Sequence, residues 1–249
     1  MDLFRREIHG WHSPRLNMYM PLVQYGHWGH PLLLLPTAQA DHLEYERYGL
    51  IDAVRHHLEA GRVRIFSVDS INNHAWMNSW VSYPEKSARQ AAFSAYIEEE
   101  LVPHIRDCVK DESARIGVAG ASFGAFHAAN LFFRRPDLFD CLVGMSGFYD
   151  LSWLLHGYSD ENVYFNNPMW FVANMTDHAQ LETLRNHSQI HLVSGQGDWE
   201  VPGASQRFST LLWSKGIPHN LDLWGRDIPH EWWSWHRMLD HYLGQRLGW

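Results

Sequence analysis

Short apolar runs alternate with longer amphipathic stretches along most of this chain. HPLLLLPTA (30–38) is an uninterrupted hydrophobic run that stops at Pro36. RVRIFSVDS (62–70), RIGVAG (115–120), FDCLVGMSG (139–147), QIHLVSG (189–195) and HNLDLWG (219–225) repeat the theme. Runs this short, bounded by Gly, Pro and polar residues, predict strands buried on both faces. Between them, residues 42–59, 85–110, 122–134, 203–215 and 231–246 carry apolar positions at helical spacing, with Gly61 closing the first and Pro136 the third. Residues 2–24 read as extended antiparallel strands. Strands that alternate with helices predict an α/β fold: a mostly parallel central sheet with helices on both faces.

Neither a repeat nor a low-complexity linker divides the chain. Its 249 residues, 45% hydrophobic, suit a single domain over 1–249. Residues 148–186 are long for a connection and predict a cap insertion built from short helices. On sheets of this kind ligands collect at the carboxyl ends of the strands, so the loops there are the places to look for chemistry.

The third of the parallel strands runs into Gly120-Ala121-Ser122-Phe123-Gly124 and then a helix. A sharp strand-to-helix turn forces its central residue into strained backbone geometry. It also brings neighbouring segments so close that side chains two residues to either side would clash; the two glycines remove them. The Ser122 hydroxyl is thereby left at the sheet edge, above a helix N-terminus whose N–H groups face any negative charge that develops. The alternative is a tight packing turn with a capping serine. A serine needs a base, and the base an orienting acid. Asp198, just past the fifth strand in SGQGDWE (194–200), is the expected acid; Glu200, two residues further on, is less well placed. His230, in GRDIPHEWWSW (225–235) after the sixth strand, is the expected base. His219 and His236 are worse placed, and Asp222 and Asp227 are fallback acids. For an oxyanion, the N–H of Phe123 is one donor. The second comes from the loop after PLLLLP, where Pro36 has no N–H and leaves Ala38, with Thr37 second.

Composition removes several classes. A formal charge of -8 argues against nucleic acid and anionic membranes as partners. Two cysteines, Cys108 and Cys141, make no disulfide framework, and Cys141 is expected to be a buried, inert thiol. The first residues lead into no apolar signal segment, and the run Leu32–Leu35 is too short to span a bilayer, so a soluble, cytoplasmic protein is expected. Eighteen histidines invite a metal reading, but HExxH and paired CxxC motifs are missing and His56-His57 are adjacent, which faces them apart on a helix. No metal and no cofactor are expected.

With GASFG (120–124), GQGD (195–198) and PHEWWSW (229–235) in place, the chain resembles the α/β-hydrolase superfamily. More narrowly it is similar to the esterase family that includes esterase D-like enzymes, feruloyl esterase-type domains and mycolyltransferase-like proteins. In VDSINNHAWMNSW (68–80) it also resembles that family's loop after the second sheet strand. The resemblance implies an α/β-hydrolase fold and a serine carboxylic-ester hydrolase that works through an acyl-enzyme on a small-molecule ester. The same intermediate could pass its acyl group to an alcohol or sugar, and a non-catalytic binding protein on the fold is a third reading. The family's usual His-Gly after the first parallel strand is replaced here by Pro36-Thr37-Ala38. A lost oxyanion donor costs on the order of 3 kcal/mol, about a hundredfold in rate. Aromatic-rich loops at 72–84 and 148–175 suggest Thr37, His74, Trp76, Trp80 and Trp153 as pocket residues for an acyl, aryl or sugar-ester group. A homo-oligomer is compatible with the sequence.

Overall fold

The structure, a computed structural model, describes residues 4–248. Eight strands form one sheet: β1 (Arg6–Ser13), β2 (Met18–Tyr25), β3 (His30–Leu35), β4 (Val63–Val68), β5 (Ile116–Ala121), β6 (Phe139–Met145), β7 (Gln189–Ser194) and β8 (Asn220–Leu223). Their order across the sheet is β1-β2-β4-β3-β5-β6-β7-β8. β1 and β2 pair antiparallel, and β2 pairs antiparallel with β4; from β4 through β8 every pairing is parallel.

Alternation along the strands divides the core between the two faces. Leu33, Leu35, Phe66, Val118, Leu142 and Leu192 enter one apolar cluster. Leu32, Leu34, Ile65, Ala119, Val143 and Val193 enter the other. All four leucines of LLLL are fully buried, two to each face. Each such burial is worth about 1.5–3 kcal/mol, which is why a run without polar alternation becomes a central strand. The first face is covered by helices Tyr83–Tyr96, Phe123–Arg134 and Pro202–Ser214. The second is covered by the 44–59 segment and by helix Trp232–His241.

Two helical stretches depart from the regular helices expected. Residues 42–59 form three short pieces, Glu44–Arg47, Leu50–Ala53 and Arg55–Glu59, because Gly49 takes φ +78° and breaks the run. Residues 83–109 stay helical but contain a π-helical turn at Ile97–Leu101 just before Pro103. A proline there lacks the N–H of the ladder and its ring crowds the carbonyl four residues back, which the wider turn relieves. Residues 148–186 hold four short helices: Ser152–Leu155, Glu161–Phe165, Pro168–Phe171 and His178–Asn186. No helix among the described residues is long and apolar enough to cross a membrane. Cys108 and Cys141 are both free, and burial of Cys141 raises its thiol pKa well above the ordinary value.

His56 and His57 do not face apart. Their rings lie 3.9 Å from each other, and both Nε2 atoms reach Asp240 Oδ1, at 3.2 and 3.0 Å. Arg62 donates to His57 Nδ1 at 3.3 Å, so the neutral ring carries its proton on Nε2 and gives it to Asp240. The trio clamps the 55–59 helix to helix Trp232–His241.

Candidate active site

β5 ends at Ala121 and a helix starts at Phe123, leaving Ser122 alone at the corner with φ +55° and ψ -120°. Such a backbone is costly for a residue with a Cβ and persists only when the surroundings enforce it. Here they do. A Cβ on Gly120 would stand 2.4 Å from the Gly124 carbonyl, and one on Gly124 would stand 2.2 Å from the Leu35 carbonyl oxygen. Neither space admits a methyl group. Ser122 N–H donates to the Met145 carbonyl at 2.9 Å, tying the corner to the end of β6. Tyr45, fully buried, places its hydroxyl between β3 and β5: it accepts from Ala121 N–H at 3.0 Å and donates to the Leu35 carbonyl at 2.7 Å.

Ser122, Ser146 and His230 open into one cavity of about 580 Å³. His230 follows β8 and precedes helix Trp232–His241. Its backbone N–H donates to the Asp198 carbonyl at 2.9 Å, and Gly197 N–H donates to the Ile228 carbonyl at 2.9 Å, so the loops after β7 and β8 are laced together. The Trp235 ring stands edge-on to the imidazole, 5.0 Å between centroids at 90°. Trp232 stacks on Tyr48 at 4.4 Å and meets Tyr45 edge-on. The tryptophans that follow His230 therefore brace its loop against the rest of the molecule.

The carboxylate that faces His230 belongs to Glu200, not Asp198. Glu200 Oε2 lies 3.7 Å from His230 Nδ1, longer than a hydrogen bond, and the Glu200 side chain is only 1% exposed. Ser146 Oγ donates to Oε1 at 2.5 Å and Ser194 Oγ to Oε2 at 3.0 Å. Trp235 Nε1–H donates in turn to Ser146 Oγ at 3.1 Å. Burial pushes the Glu200 pKa up, but the neighbouring His230 imidazole and the Ser146 and Ser194 hydroxyls outweigh it and leave the group below its ordinary value. Asp198 is exposed and meets His230 only through its carbonyl. The cause is a turn: Glu200 N–H donates to the Gly197 carbonyl at 3.2 Å, with Trp199 at φ +63°. That turn swings residue 198 to solvent and residue 200 inward. Asp222 is committed to the Tyr242 hydroxyl and Asn220.

Among the expected amide donors, Thr37 is already engaged. Its N–H and hydroxyl donate to the two oxygens of Glu44 at 2.9 and 2.7 Å. Glu44 is itself buried, which raises its pKa although the Thr37 bonds pull the other way. Ala38 packs against the cluster that contains Phe123, and Phe123 opens its helix, where the first N–H groups have no intrahelical acceptor. Of the five pocket residues expected, only Trp153 lines the cavity. Trp76 is buried in the core and donates to Gln90 at 2.9 Å. His74 lines a separate groove beside Arg89, and Trp80 is 94% exposed. Residues 72–84 thus serve the core and the surface, while the wall beside Ser122 comes from Phe148, Trp153, Met169 and Trp199. Tyr45, Ser146 and Glu44, whose bonds fix the site, carry no local sequence signal, because each acts through a contact distant in the chain.

A strained serine, an imidazole opening into the same cavity, a buried ionised carboxylate behind it and amides near the serine make a set that can attack a carbonyl and shelter the resulting oxyanion. The family model described as "Putative esterase" matches residues 48–241. No curated protein matches the chain. Similar solved structures include a ferulic acid esterase, with TM-score 0.74 and 18% identity over 96% of each chain. The S-formylglutathione hydrolase of Agrobacterium tumefaciens gives TM-score 0.74 and 15% identity over 96% of this chain and 92% of that one. A fluorophosphonate-binding serine hydrolase of Staphylococcus aureus gives 0.71 and 16% over 96% of this chain and 97% of that one. At these identities the likeness is one of fold, and the fold is the α/β-hydrolase fold.

Proposed function

The chain belongs to the esterase family, and from that premise we propose that it is a serine carboxylic-ester hydrolase that works through an acyl-enzyme on a small-molecule ester. The observation that carries this reading is the strained Ser122 sharing one cavity with His230, which is backed by buried Glu200. Ser122 Oγ attacks the ester carbonyl while His230 Nε2 takes its proton. Glu200 faces Nδ1, holds the ring and stabilises its positive form; the 3.7 Å separation shortens as the ring charges. Phe123 and Ala38 N–H groups receive the oxyanion. The tetrahedral adduct expels the alcohol, which takes the proton from His230. Water, deprotonated by His230, then releases the acid and restores Ser122.

Glu44 answers the departure from the family's His-Gly pattern. By occupying both the N–H and the hydroxyl of Thr37, it fixes the loop so that Ala38 is the residue left to serve. A cytoplasmic location suits two free thiols. The test is hydrolysis of para-nitrophenyl esters of graded chain length by wild type and Ser122→Ala. Turnover that disappears in the variant supports the reading, and equal turnover by both refutes it. Acid release that added alcohols do not divert assigns hydrolysis over acyl transfer.

A further inference from the structure

The cavity that holds Ser122 is mostly apolar and aromatic, yet Arg207 stands on its wall. Arg207 belongs to helix Pro202–Ser214, and among the described residues no carboxylate lies within ion-pairing distance of it. Of the acidic groups that share the site, Asp150 senses the Arg207 charge without an ion pair and gives its hydrogen bonds to other donors, and Glu200 is turned away. Asp150 Oδ1 accepts from Ser152 N–H at 2.9 Å, Ser152 Oγ at 2.6 Å and Asn167 Nδ2 at 2.9 Å. Glu200 is turned inward to Ser146, Ser194 and His230. On a chain of net charge -8, an exposed guanidinium at the cavity wall that has no ion-pair partner is a local exception to the surrounding field, although its charge reaches Asp150.

We propose that Arg207 is a specificity determinant that selects esters carrying a carboxylate, the apolar walls holding the body of the substrate and the guanidinium its anionic end. The proposal rests on the esterase reading above. A planar guanidinium grips a carboxylate with two parallel hydrogen bonds, a geometry that gives selectivity even at exposed Arg207. Selection operates on binding, so it appears in KM more than in kcat.

Two matched pairs of substrates test it. In the first the charge is on the acyl side: the para-nitrophenyl monoester of glutaric acid against para-nitrophenyl hexanoate. In the second it is on the alcohol side: para-acetoxybenzoate against its methyl ester. The wild type is expected to favour the charged member of one pair, and which pair tells which side of the ester faces Arg207. Arg207→Met is expected to reduce that charged-to-neutral ratio of kcat/KM by about tenfold or more, mainly through KM, and Arg207→Lys to recover part of it. Equal use of both members by wild type, or a preference that survives in Arg207→Met, overturns the proposal. Binding of the intact charged esters to Ser122→Ala, measured by titration calorimetry with and without Arg207→Met, is a separate readout. If no ester is turned over, the hydrolase reading fails on its own, while this binding comparison still decides the role of Arg207.

Discussion

Glu200 carries its charge where water scarcely reaches. An isolated buried carboxylate would cost several kcal/mol, and here two serine hydroxyls and the imidazole offset that cost. A carboxylate so held stays ionised near neutrality, as the orientation of His230 requires. Glu200→Gln is therefore expected to lower kcat/KM for a para-nitrophenyl ester by about a hundredfold or more, and Asp198→Asn to leave it within about threefold. Steady-state kinetics on the two variants check this; the reverse ranking would assign the role to Asp198. The placement of Ser122 and His230 on one cavity was readable from sequence because glycine and proline punctuate their turns and each follows a clear strand. Which carboxylate faces His230 was not, since it depends on one tryptophan adopting φ +63°. No periodicity encodes that conformation.

The corner between β5 and its helix is held by an element far away in sequence. Tyr45 projects from the short helix Glu44–Arg47, and its hydroxyl satisfies one N–H and one carbonyl where β3 and β5 part. Tyr45→Phe leaves both groups buried without a partner, an expected loss of about 1–3 kcal/mol, which chemical denaturation measures. An unchanged unfolding midpoint would mean that the corner needs no such pin. The strands were legible, because an apolar run bounded by turn residues has few other homes. The 44–59 helix was legible only as a pattern. Its apolar face does line the second core cluster, but Gly49 at φ +78° divides the backbone. Residues 72–84 misled for a related reason: Trp76 looks the same in sequence whether it faces a pocket or packs against Phe123 and Phe126.

At the scale of the whole molecule, the sheet gathers the ends of β3, β5, β6, β7 and β8 at one rim, and acid pH should weaken what that rim depends on. His127, fully buried on the helix that follows Ser122, gives its Nε2 proton to Asn72 at 3.1 Å and stacks on Phe123. Burial lowers its pKa to about 3 from 6.5. The unfolded chain thus binds a proton that the native state refuses, and stability is lost as pH falls from 6.5 towards 3. Glu200 adds a loss lower down: its depressed pKa stabilises the fold above the ordinary glutamate range, and that contribution fades as pH falls through the native value. Thermal unfolding of His127→Gln, which keeps a donor for Asn72, is expected to depend less on pH between about 6.5 and 4.5 than wild type; identical slopes would discount His127. The central claim is that Ser122 is a nucleophile activated by His230 in this cavity. Treat the folded protein with a fluorophosphonate and locate the adduct by mass spectrometry. The account predicts a single adduct on Ser122 that Ser122→Ala does not form and that His230→Ala forms far more slowly. Folded wild-type protein that stays unmodified, or is modified elsewhere and not at Ser122, would contradict it.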